Sequence, residues 1–148
     1  MVNKKEKTSF TEEMGFEFVV DEREHVEVTM EMSPRVTQPF GFLHGGVTIA
    51  LLETAASRGA ENMADLETEL PFGIEARIRH KKSARSGVIR GVATLDHVEK
   101  NKQIWNVAAY DDEGDVISDG IFITKIVTRE YFAQKQLAMK EARSQRES

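Results

Sequence analysis

The chain has 148 residues, enough for one domain that buries its own core, and it carries 20 basic against 25 acidic residues for a net charge of −5. That balance argues against general nucleic-acid binding. The absence of cysteine excludes disulfides, a thiolate nucleophile and cysteine-ligated metal. The N-terminal stretch MVNKKEKTSF is basic with no apolar segment behind it, and no apolar run reaches the roughly 18 residues of a membrane span. A chain neither secreted nor membrane-spanning, working in the cytoplasm, is the expectation.

In chain order, Phe16 to Val20 is expected to pair as a hairpin with His25 to Met32, where Val26, Val28, Met30 and Met32 alternate with Glu27, Thr29 and Glu31. A loop through Pro34, Pro39 and Gly41 leads to a helix predicted from Gly45 to Met63. Between Gly46 and Ala60 that helix has only Glu53 and Arg58 as charged residues, and its apolar residues cover nearly every side. Such a helix is expected to be buried all round, Glu53 with it. After an acidic loop at 65–69, strands are predicted at 72–82, 88–98, 103–111 and 116–127, separated by short turns. Only a sheet could cover so apolar a helix, so the class is α+β, an antiparallel sheet curled around one long helix. Residues 128–148 are polar helix formers and are expected to make a short surface helix with a frayed end. The domain assignment is therefore 1–127 with a tail at 128–148.

Gly45 and Gly46 stand where loop becomes helix. Their amides belong to the unpaired first turn, at the positive end of the dipole, and can meet an oxyanion; a simple tight turn is the plainer use of such a pair. Glu53 and Ser57 are four apart and share a helical face, so a carboxylate and a hydroxyl could hold one water between them. Glu53 as general base or nucleophile stands beside Glu53 as a structural acid paired with Arg58, Ser57 or a neighbouring subunit. His44 reads as a loop-positioning residue. His25, His80 and His97 show no close ligand spacing, so no metal is expected; the turn acids Asp111, Asp112, Glu113 and Asp115 lack calcium-loop spacing. From Arg77 to Arg90 the chain holds six basic residues and His80 with no acid, a local positive field suited in part to phosphate.

The run Gln38-Pro39-Phe40-Gly41, then His44-Gly45-Gly46, then Glu53 and Ser57, resembles the hotdog-fold acyl-CoA thioesterases, in particular the branch of hydroxybenzoyl-CoA thioesterases and 1,4-dihydroxy-2-naphthoyl-CoA hydrolases. The stretch GIEARIRHKKSARSGVIRGVA resembles the strand after that family's central helix, with His80 matching its usual histidine and Lys82 standing where arginine is common. The resemblance implies dimers joined edge to edge, often paired into a homotetramer, with active sites between subunits. It implies that Gly45 N–H polarises the thioester carbonyl and Glu53 of the partner acts as nucleophile or base. Gln38 would position the thioester, His44 hold the loop and Ser57 orient water or acyl group. His80, Lys82 and Arg85 would contact coenzyme A, which is part of the substrate, so no separate cofactor is implied. A hotdog hydratase or dehydratase and a noncatalytic acyl-CoA sensor are the competing functions; Phe40, Phe42 and Phe72 are candidate pocket walls.

Overall fold

The computed structural model describes residues 8–147, so the basic stretch through Lys7 and the terminal Ser148 lie outside the described residues. Six strands form one antiparallel sheet in the order β1-β2-β4-β5-β6-β3, with β1 at Glu17–Asp21, β2 at His25–Glu31, β3 at Glu69–His80, β4 at Val88–Glu99, β5 at Lys102–Tyr110 and β6 at Val116–Thr128. The helix α2, Gly45–Met63, packs across it. This is the α+β arrangement expected. A short helix α1, Phe10–Glu13, was not predicted; Ser9 caps it by accepting the Glu12 N–H at 3.3 Å. No helix among the described residues is long and apolar enough to cross a membrane.

The boundaries of α2 follow from its ends. His44 is extended, and its Nδ1 accepts the Gly46 N–H at 2.9 Å, satisfying one amide of the first turn. Thr48, Leu51, Leu52, Ala55, Ala56, Gly59 and Ala60 form the buried stripe. The chain's one tryptophan, Trp105 on β5, is fully buried against it. A Cβ at Gly59 would lie 2.3 Å from the Trp105 ring, so the close approach of helix and strand requires glycine there. The indole N–H donates to Thr124 Oγ1 at 2.9 Å, Thr124 donates to Gln103 Oε1 at 2.8 Å, and Gln103 Nε2 donates to the Asn101 carbonyl at 2.9 Å. This chain of donors lets three polar side chains sit in the core without an unmet bond.

The expectation of burial on every side is corrected. One sheet covers one face of α2, and the opposite face, including Gly46 and Glu53, is exposed in the isolated chain. The apolar residues there, Ile49 and Ala50, are only partly covered.

β3 starts and ends earlier than predicted. Among the described residues it is an edge strand with β6 as its only neighbour, which tolerates Pro71, and it stops at His80 because Lys81 and Lys82 both turn their N–H groups to the Ile117 carbonyl. The tail differs in length from the short helix expected. A single helix α3 runs Arg129–Glu147, started by Thr128 Oγ1 accepting the Tyr131 N–H at 3.0 Å. It is anchored at that end by the Phe132 ring 5.0 Å from Phe72 and by Arg129 donating to the Leu66 carbonyl at 2.7 and 3.0 Å. Beyond these anchors α3 is exposed along its length.

Candidate active site

The loop before α2 is closed on itself. Gln38 N–H donates to Phe42 O at 2.8 Å, Gly41 N–H returns to Gln38 O at 2.9 Å, and Gln38 Oε1 accepts the Phe40 N–H. The side-chain amide of Gln38 is thereby oriented with its NH2 left to donate. His44 N–H is held by Val36 O at 2.8 Å, which fixes the entry into the helix. Since His44 Nδ1 takes the Gly46 amide, the Gly45 N–H is the first-turn donor for which no acceptor occurs among the described residues. It points out with the positive end of the helix.

His80, at the end of β3, faces this helix start. Its Nδ1 is 2.7 Å from Oγ of the buried Ser118, and its Nε2 lies 2.9 Å from where a Cβ on Gly45 would stand. The glycine is therefore required by the imidazole as much as by the turn. Gln38, Gly45, Thr48, His80, Lys82 and Ser118 line a cleft of about 200 Å3.

Glu53 is elsewhere. Eight residues at 1.5 Å rise place it about 12 Å along the axis from Gly45. Its carboxylate lies against β3: a Cβ at Gly73 would be 2.9 Å from Glu53 Oε1 and equally close to the Phe122 ring. A bulge between Gly73 and Glu75 interrupts the ladder at this point. Ser57, one turn further on, is half-buried, and among the described residues it makes no hydrogen bond to Glu53. Arg58 does not pair with Glu53 either; it binds Asp21 at 2.8 Å and stacks on Phe18 at 4.8 Å.

The positive field expected between Arg77 and Arg90 is largely cancelled by nearby acids, one on β3 itself and the rest from β2, β6 and the β5–β6 turn. Arg77 meets Glu75 at 2.9 Å, Lys81 meets Asp119 at 2.8 Å, and Arg90 meets Glu27 at 2.7 Å. Lys82 Nζ is 2.7 Å from both Asp111 and Asp115 and 3.7 Å from Glu113. Hydrogen bonds to Asp111 and then Asp115 raise the Lys82 pKa above its usual value, and the ammonium correspondingly lowers that of Asp111. Among the described residues Arg79 and Arg85 have no carboxylate partner; the Arg85 guanidinium lies 4.1 Å over the Phe42 ring.

The sequence therefore assembles Gln38, Gly45, His80 and Lys82 in one cleft, with His44 capping the helix behind it, and leaves Glu53 and Ser57 on a separate open face. Gly73 and Ser118 were not anticipated. A lone glycine in a strand pattern signals a bulge or a close approach, so Gly73 was recoverable; nothing in the sequence marks Ser118.

The Thioesterase superfamily profile matches residues 40–118, the span from the loop before α2 into β6. The chain belongs to the thioesterase superfamily. This thioesterase is 37% identical over 101 residues to a 1,4-dihydroxy-2-naphthoyl-CoA hydrolase of Listeria monocytogenes, covering 68% of this chain and 81% of that one. It is 32% identical over 106 residues to the proofreading thioesterase EntH of Cronobacter turicensis, covering 72% and 77% of the two chains. A crystal structure of a mutant of SAV0944 from Staphylococcus aureus superposes with a TM-score of 0.79 at 31% identity, over 81% of this thioesterase and 99% of that chain. The fold is the hotdog fold, and the chemistry is thioester hydrolysis.

Proposed function

We propose that this thioesterase hydrolyses acyl-CoA at sites built from two protomers, with Gly45 N–H of one and Glu53 of the other acting on the same carbonyl. The observation that carries the reading is the separation of about 12 Å between these residues along one helix. An oxyanion donor and a base must both lie within about 3 Å of the reacting atoms, so one chain cannot supply both to one thioester. The open face of α2 and the free edge of β3, with Phe72, Ile74 and Glu53 exposed, are where a second copy would complete the site. A homodimer joined along β3, with two dimers forming a tetramer, accords with that exposure. Residues 1–127 then form the catalytic domain and 128–148 a tail that carries α3.

In this mechanism Glu53 either takes a proton from water as the water oxygen attacks the carbonyl carbon, or attacks it directly to give an anhydride that water opens. In both, Gly45 N–H holds the oxyanion, the C–S bond breaks, and coenzyme A leaves as thiolate. The Gln38 NH2 group donates to the thioester, Ser57 orients the water or acyl group, and His44 fixes the direction of the Gly45 amide. His80 and Arg85 lie on the route of the coenzyme A portion, with Arg85 free to meet phosphate. Acting on acyl-CoA, the protein would work in the cytoplasm. One relative's name specifies an acyl group, 1,4-dihydroxy-2-naphthoyl, and the other's specifies none, so aromatic and broad-range acyl-CoAs both belong in the test.

That test is free-thiol release from aromatic, short, medium and long acyl-CoAs by the purified protein, with no cysteine of its own to raise the background. Saturable turnover of at least one class is expected; binding of acyl-CoA with no thiol released from any class would refute hydrolysis and favour a sensor.

A further inference from the structure

Lys82 lines the cleft, yet its ammonium is already surrounded by carboxylates of the β5–β6 turn, and those carboxylates are organised by the turn itself. Asp111 uses Oδ1 to accept the Glu113 and Asp115 N–H groups at 3.1 and 2.9 Å and Oδ2 to hold Lys82 at 2.7 Å. Its side chain is only 7% exposed, so it is a fixed anchor rather than a mobile surface acid. The other end of the β3–β4 loop docks on the same turn, because a Cβ at Gly87 would lie 2.2 Å from Asp112 Oδ2. Between these two attachments the loop presents the carbonyl of buried Ala84 to the Leu43 N–H at 2.8 Å, and Arg85 to the face of Phe42. Leu43 immediately precedes His44 and Gly45. A continuous set of contacts thus runs from Asp111 through Lys82 and Ala84 to the amide proposed to hold the oxyanion.

Resting on the acyl-CoA reading above, we infer that Lys82 is a positioning residue, clamped by Asp111 and Asp115 so that the β3–β4 loop holds the Leu43–Gly45 turn in place, and is not a ligand of the coenzyme A phosphates. A phosphate would have to displace two carboxylates at 2.7 Å and then sit beside them, an arrangement like charges oppose. Surface ion pairs are individually weak, so the effect of breaking the clamp is modest.

The test uses Lys82→Met, Lys82→Arg and Asp111→Asn, read by amide hydrogen exchange of peptides covering 36–46 and by kinetics on an acyl-CoA and on the matching N-acetylcysteamine thioester, which has no phosphate. Lys82→Met and Asp111→Asn are expected to speed exchange in 36–46 and to lower kcat roughly fivefold on both substrates, with Lys82→Arg restoring most of both. Unchanged exchange overturns the inference. So does a rise in KM confined to acyl-CoA, or tighter acyl-CoA binding by Asp111→Asn, since freeing a phosphate ligand from its carboxylate would have that result. Faster exchange in a protein whose wild type hydrolyses no thioester supports the clamp and sinks the acyl-CoA reading instead.

Discussion

Mixing Gly45→Ala subunits with Glu53→Gln subunits is expected to restore activity that neither variant has alone. In Gly45→Ala the new methyl meets His80 Nε2 at 2.9 Å, and that imidazole is pinned from behind by Ser118 at 2.7 Å, so the helix start must move away from its direction toward the oxyanion. Losing one such donor costs about 10²- to 10³-fold in kcat. Glu53→Gln keeps the shape but cannot accept a proton or attack, with a loss of about 10²-fold or more. On the proposed two-protomer site, with Gly45 and Glu53 about 12 Å apart in one chain, each site would take one of them from each protomer. A mixed dimer then carries one site with both lesions and one with neither. Random reassociation makes about half the dimers mixed, so about a quarter of the wild-type rate should return in an equimolar mixture. The assay is thiol release after co-refolding or subunit exchange, with circular dichroism confirming that each variant is folded. A mixed sample no faster than the sum of its components, under conditions where exchange is demonstrated by mass, would refute the two-protomer site.

Gly59→Ala pushes a methyl to within 2.3 Å of the buried Trp105 ring, an overpacking cost of about 1–3 kcal/mol that should lower the urea midpoint; an unchanged midpoint would contradict the packing described. Asp21 is held below its ordinary value of 3.8, first by its hydrogen bond from Arg58 and then by that from Asn62. A depressed carboxylate contributes stability that is present above the unfolded value and is lost as pH falls through the folded one, so Asp21→Asn should destabilise at pH 7 and progressively less as pH falls below 3.8; a loss that does not change with pH would refute it. Arg85→Ala should raise KM for acyl-CoA roughly threefold to tenfold with kcat nearly unchanged and leave the N-acetylcysteamine thioester unaffected; parallel losses on both substrates would remove its phosphate role.

Local chemistry made much of this fold legible. The strand alternation in 25–32 and the apolar run after Gly45 placed β2 and α2 within a residue of their observed limits, because both patterns are periodic and end in turn residues. The length of α3 was less readable, since a polar helix with few anchors carries no burial period, and α1 was too short to show one. Site chemistry divided along the same line. Gly45 and His44 announce themselves by standing at a loop-to-helix junction. The neutralisation of Lys81, Lys82 and Arg90 could not be read, because their acids, Asp119, Asp111 and Glu27, are far off in sequence and meet them only across the sheet. Glu53 was expected to be buried because its helix is apolar, but one sheet covers only one side, and the remainder is exposed in the isolated chain.

The most direct measurement is the turnover number of Glu53→Gln beside wild type on the acyl-CoA that wild type hydrolyses fastest. The account predicts a fall of about 10²-fold or more in kcat with little change in KM. Near-normal turnover by Glu53→Gln would contradict it.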